Sequence, residues 1–104
     1  MKISIITACP CGMAHSRMAS EALQNEAKSL GYEVFIEEQG GFQNPQRLKQ
    51  DQIEKSDVVI LAAAIIVSGM ERFKGKQVLE VSVKDALMHP KETLQRAVKL
   101  TKKH

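Results

Sequence analysis

Apolar runs rich in β-branched residues alternate along the chain with stretches of helical spacing. Lys2 to Ala8 (KISIITA) reads as a buried strand, closed by a loop at Cys9-Pro10-Cys11-Gly12. From about Met13 to Leu30 the apolar positions Met18, Ala19, Ala22, Leu23, Ala27 and Leu30 recur with the period of one helix face. Gly31 ends that helix as a residue free to take positive φ. Tyr32 to Glu38 alternates as a second strand, and Gly40 to Pro45 is loop. A short helix near Leu48 to Lys55 leads into Asp57 to Ala63, the most apolar strand. Ser68 to Gly75 is a connector with room for one helical turn, and Gln77 to Val81 makes a fourth strand. Ser82 and Asp85 have the spacing of a capping box for a turn of helix up to Met88. Pro90 suits the first position of a last helix to about Lys102, with Leu94, Ala97 and Val98 inward.

The order βαβαβαβα with short connections predicts an α/β fold, a parallel sheet covered on both faces. Right-handed crossovers favour a four-stranded doubly wound sheet in the order 2-1-3-4, a Rossmann-like three-layer sandwich.

The chain has 104 residues, the size of a single domain. Its 43% hydrophobic and 26% charged residues are ordinary globular values. The net charge of +3 is mild, and part of it sits in a basic tail of Lys99, Lys102, Lys103 and His104, which reads as a solvated end. There is no concentrated basic stripe. Only Tyr32, Phe35, Phe42 and Phe73 are available for base stacking, so nucleic acid is not an expected partner. The apolar start is too short for a signal peptide. The longest apolar run, Val58 to Val67, is about half of what a spanning helix needs. The expectation is a cytoplasmic protein with no direct membrane insertion.

Candidate chemistry gathers after the first strand. In open α/β sheets, ligands bind beyond the carboxyl ends of the strands at the topological switch point, which the order 2-1-3-4 puts beside strand 1. There the sequence runs Cys9-Pro10-Cys11-Gly12-Met13-Ala14-His15-Ser16. A thiol at the mouth of a tight loop feeding a helix meets unpaired backbone N–H groups and the positive end of the helix dipole. That setting stabilises a thiolate, makes Cys9 a nucleophile, and suits the same amides to hold a phosphoryl group on sulfur. Gly12 allows close backbone approach, and Pro10 removes no needed donor if its nitrogen faces away. A cysteine ending a strand is also often a small buried hydrophobe, and position alone leaves that reading open. Cys11 lies within the loop and is the less favoured nucleophile. His15 is structural or donates to a bound phosphate. Ser16 caps the helix or bonds the phosphate.

The segment Thr7-Ala8-Cys9-Pro10-Cys11-Gly12-Met13-Ala14-His15-Ser16, with Met18-Ala19-Ser20-Glu21-Ala22-Leu23 behind it, closely resembles the signature of fructose-family enzyme IIB domains of the phosphoenolpyruvate-dependent sugar phosphotransferase system. Glu38-Gln39-Gly40 looks like the family's turn after strand 2, and Asp57 to Ala63 like its strand 3. Glu71-Arg72-Phe73, Gly75-Lys76 and Val81 to Leu87 match its last third. The resemblance spans essentially residues 1–104 and implies one free-standing IIB domain. It implies that Cys9 is the phosphocysteine, accepting a phosphoryl group from a phosphohistidine on enzyme IIA. The group then passes to fructose or a related sugar held by the membrane enzyme IIC, at the inner face of the membrane. No metal or organic cofactor is expected. The chain departs from the family at Ala64, where the family usually has Asp, and at Glu38, where it usually has Thr. Its loop from Gly41 to Pro45 is shorter, and Cys11 fills the variable position.

Other readings compete. The loop also resembles that of low-molecular-weight tyrosine phosphatases and arsenate reductases, but those place Arg six residues after the cysteine. Here His15 stands there, and His does not replace a planar bidentate guanidinium. A redox pair would prefer two intervening residues rather than the one between Cys9 and Cys11. A metal clip would need ligands beyond His15, since His89 and His104 fall elsewhere in the pattern. A non-catalytic regulatory module on the same fold is the remaining alternative, kept open by Ala64.

Overall fold

The computed structural model describes residues 1–8, 13–39, 48–63 and 70–101. Four strands, β1 (Lys2–Ala8), β2 (Glu33–Gln39), β3 (Val58–Ala63) and β4 (Val78–Val81), form one parallel sheet in the order β2-β1-β3-β4. The helices are α1 (Met13–Ser29), α2 (Gln50–Lys55), α3 (Val83–Met88) and α4 (Pro90–Thr101), with a 3-10 turn at Met70–Phe73. Fold class and strand order are those expected from the pattern.

The sheet is covered on both faces, and strand alternation decides which residue serves which. Ile3 and Ile5 of β1, with Val58 and Ile60 of β3, pack under Ala19, Leu23 and Ala27 of α1, Val83 and Ala86 of α3, and Leu94 and Ala97 of α4. Ile6 and Ala8, with Val59 and Leu61, pack against Leu48, Ile53 of α2 and Phe73 of the 3-10 turn. A strand buried on both faces has to be apolar at nearly every position, as in parallel sheets generally.

Helix ends follow local chemistry. After α1 the Tyr32 amide donates to the Ala27 carbonyl at 2.9 Å and the Gly31 amide to Lys28 at 3.0 Å. That is the Schellman pattern, with Gly31 at φ +79° and Tyr32 packed on the core that includes Ala27. At α3 the Ser82 hydroxyl accepts from the Asp85 amide at 3.0 Å, the expected cap. Lys76 closes the carboxyl end of α2, its Nζ donating to the carbonyls of Glu54 and Ser56 at 2.6 and 2.7 Å. Beside it the hydroxyls of Ser4 and Ser56 bond each other across the β1–α2 interface.

Three details differ from expectation. Met18 and Leu30 are each half exposed, so the buried stripe of α1 is narrower than the apolar positions suggested and includes Ser20 instead. Glu38 lies in β2 as the alternation predicts, but Gln39 does too rather than in a turn after it, because β1 pairs with β2 as far as Ala8 opposite Gln39. Leu48 and Lys49 precede α2, which starts at Gln50. The loop from Gly40 to Pro45, Ala64, Ser68 and the tail Lys102 to His104 lie outside the described residues.

Gly31→Ala is expected to lower stability by about 1 kcal/mol, because a Cβ is disfavoured at positive φ. Urea unfolding of the two proteins measures the difference.

Candidate functional site

β1 lies between two parallel partners, and the three strands end level. Ala8 is paired with Gln39 on one side and with Ala63 on the other. The carboxyl ends of β1, β2 and β3 therefore lie side by side at one end of the sheet. β1 and β2 diverge from β3 and β4 in chain order at this point, which makes it the topological switch point.

The amino end of α1 belongs to the same edge. Ser20, in the second turn of α1, donates from its hydroxyl to Glu38 Oε1 at 2.7 Å, and Glu38 is one residue from the end of β2. The helix starts seven residues before Ser20, and its first turn carries no acidic side chain to oppose an anion. Of the sequence-predicted site residues, Met13, Ala14, His15 and Ser16 form this first turn, so they are helix rather than loop. Ser16 is the fourth helical residue, past the position of an N-cap. Cys9, Pro10, Cys11 and Gly12 lie outside the described residues.

The other face of β2 holds a pair that the sequence reading missed. Glu37 is 1% exposed. Arg72, from the 3-10 turn, clamps it with two parallel bonds, Nη1 to Oε1 at 2.7 Å and Nη2 to Oε2 at 2.9 Å. Leu48 completes the arrangement: its amide donates to Glu37 Oε1 at 2.6 Å and its carbonyl accepts from Arg72 Nη1 at 2.8 Å. The guanidinium also sits 5.3 Å from the centre of the Phe73 ring. One ion pair thus joins the end of β2, the entry to α2 and the turn before β4. The hydrogen bond that Arg72 donates to Glu37 raises the pKa of Arg72 above its ordinary value and outweighs the opposing effect of burial. By contrast Lys2 and Glu33, at the opposite end of the same strand pair, are 3.9 Å apart and 44% and 60% exposed. That pair contributes no more than about 1 kcal/mol.

The signal for the buried pair was present in Glu37-Glu38. Two consecutive carboxylates on a strand covered on both faces must enter both layers, so each needs its own partner. Arg72 is 35 positions away and cannot be matched to Glu37 by periodicity. Among the described residues there is no group of three potential metal ligands, and no helix is long and apolar enough to cross a membrane.

Comparison with known proteins agrees with this architecture. The family described as "PTS system, Lactose/Cellobiose specific IIB subunit" matches residues 4–96. The chain belongs to the PTS IIB family. Within it, the chain is 42% identical over 86 residues to the "PTS system fructose-like EIIB component 2" of Escherichia coli strain K12, covering 83% of this chain and 81% of that protein. It is 42% identical over 97 residues to the "PTS system fructose-specific EIIABC component" of Bacillus subtilis strain 168, covering 93% of this chain. The match spans only 15% of that larger protein. A solved domain of fruA from Bacillus subtilis superposes with a TM-score of 0.85 at 40% identity, covering 96% of this chain and 95% of that one. These likenesses make the chain a fructose-type IIB component, a phosphotransferase by class.

Replacing Arg72 with Met is expected to cost about 3–5 kcal/mol, because it leaves a buried carboxylate without its countercharge. The double variant Glu37→Met with Arg72→Met should be less destabilised than Arg72→Met alone. Urea unfolding of the three proteins checks both statements.

Proposed function

We propose that this IIB chain carries a phosphoryl group on Cys9 between enzyme IIA and the sugar bound by enzyme IIC. The observation that supports this most is the placement of Ala8. It ends the central strand at the switch point, level with its neighbours on both sides, and the next residue in the chain is Cys9. A short connection from there to the amino end of α1 favours anions, thiolate and phosphate alike. The names of the fructose-type relatives support fructose or a related sugar as the final acceptor.

The chemistry is two in-line displacements. The Cys9 thiolate attacks phosphorus of the IIA phosphohistidine, forming an S–P bond as the P–N bond breaks. The leaving imidazole nitrogen takes up one proton, matching the one that the Cys9 thiol gave up. A sugar hydroxyl then attacks the same phosphorus. The O–P bond forms, the S–P bond breaks, the hydroxyl proton is released and the thiolate is regenerated. Such transfers need little acid–base work; positioning and electrostatic stabilisation supply the catalysis. The amides from Cys11 to Ser16, with Gly12 allowing close approach, Pro10 lacking an N–H and His15 as a further donor, form the phosphate-binding segment. Residues 1–104 act as one IIB domain, in the cytoplasm and at the inner face of the membrane when IIC is engaged. IIA and IIC meet the same surface in turn, so each contact is transient and of modest area.

The test is intact-protein mass spectrometry after incubation with phosphoenolpyruvate, the general phosphotransferase proteins and a fructose-type IIA. Wild type and Cys11→Ser are expected to gain one phosphoryl group, and Cys9→Ser to gain none. Unimpaired transfer by Cys9→Ser would contradict the mechanism, and loss of transfer in Cys11→Ser alone would move the carrier to that thiol.

A further inference from the structure

The carboxyl ends of the strands form one end of the molecule, and the opposite end holds a groove that the proposed phosphoryl chemistry does not use. Tyr32 stands one residue before β2, whose first residue, Glu33, pairs with Lys2 at the start of β1. α1 runs 17 residues, about 26 Å, before it reaches this end. Between the last turn of α1, the chain entering β2 and α4 lies a groove of about 360 Å³. That volume falls within the range of small-molecule sites.

One wall is a single stripe of α4, because residues three and four positions apart share a helix face. Leu94 and Val98 give that stripe its apolar part, and Leu30 and Tyr32 line the groove from the other side. Leu30 is 50% exposed, so this apolar lining meets water. Lys91 and Lys99 stand at the two ends of the stripe, two turns and about 12 Å apart along the helix. Both lysines are exposed, and Glu26 of α1 carries the one opposing charge of the lining. No ion pair among the described residues holds any of the three. Two ammonium groups against one carboxylate leave the groove net positive. An anion with an apolar body matches both features. Its chain covers the wet surface of Leu30, Leu94 and Val98, and its head group accepts a charge-assisted hydrogen bond from a lysine. Gln95, between the lysines, offers a further donor. A cation would meet like charge at both ends of the stripe.

We propose that the groove between α1 and α4 binds small amphipathic anions, a medium-chain aliphatic carboxylate above all. Burial of the aliphatic chain supplies the affinity, and the lysines select the sign of the head group. An occupant ties the last turn of α1 to α4 and leaves the carboxyl ends of the strands free. The site stands on the groove and its charges, independently of the carrier reading of Cys9.

The probe is octanoate, titrated below its micellar concentration into the isotopically labelled chain, with acetate and octylammonium as controls. Backbone amide shifts in NMR spectra report both the place and the affinity of binding. Octanoate is expected to shift the amides of Leu30, Tyr32, Leu94 and Val98 saturably, and acetate to leave them in place. Octylammonium should bind about tenfold more weakly than octanoate. The double variant Lys91→Gln with Lys99→Gln changes only exposed side chains, so the fold survives, and it should weaken octanoate by about tenfold. Glu26→Gln removes the opposing charge and should tighten it. Shifts that do not saturate or that centre elsewhere would overturn the proposal. So would equal binding of octylammonium, unchanged affinity in the double lysine variant, or weaker binding to Glu26→Gln. If the same amides shift with protein concentration before octanoate is added, a second copy of the chain covers the groove, and the proposal falls.

Discussion

The strand β1 is bound on four sides. Parallel neighbours hold both its edges, and helical layers bury both its faces. A slip by one residue would send Ile3 and Ile5 into the layer built for Ile6 and Ala8, and break two ladders at once. The end of the strand is consequently among the most constrained points of the molecule. For the proposed carrier role this matters, because transfer between proteins depends on near-attack geometry, and Cys9 is the residue that follows the strand in the chain.

The rest of the site is organised by how the two neighbouring carboxylates of β2 are satisfied. Glu38 points into the layer of α1 and accepts from Ser20, which ties the middle of the helix to β2 one residue from the end of that strand. Glu37 points into the opposite layer and meets Arg72 and Leu48. Burying a guanidinium–carboxylate pair costs much of what the attraction returns, so its net worth to stability is small. Its consequence is geometric. A planar fork with two parallel bonds permits one arrangement of the three segments it joins, whereas an ammonium would permit several. Arg72→Lys is therefore not a conservative change here.

Much of this was legible in the sequence. The apolar strands, the glycine end of α1, the Ser82 cap and Pro90 at the start of α4 are local signals, each with its own mechanism, and the structure has all of them. The switch point followed from strand order, and strand order from connection lengths and handedness. What was not legible depended on pairing across the chain. Glu37 and Arg72 meet only because the sheet brings β2 and the 3-10 turn to one layer. Met18 looked like core because it has the right period, yet the stripe that α1 buries is only as wide as the groove it fills.

The central claim is a phosphorus–sulfur bond, and phosphorus NMR observes it directly. The chain would be charged from phosphoenolpyruvate through the general proteins and a fructose-type IIA, then separated from them and its spectrum recorded. A matched sample would have its thiols alkylated beforehand. The account predicts a resonance in the phosphothiol region that is absent from the alkylated sample. A resonance in the phosphohistidine region that survives alkylation, or no resonance with a IIA that charges another fructose-type IIB, would contradict it.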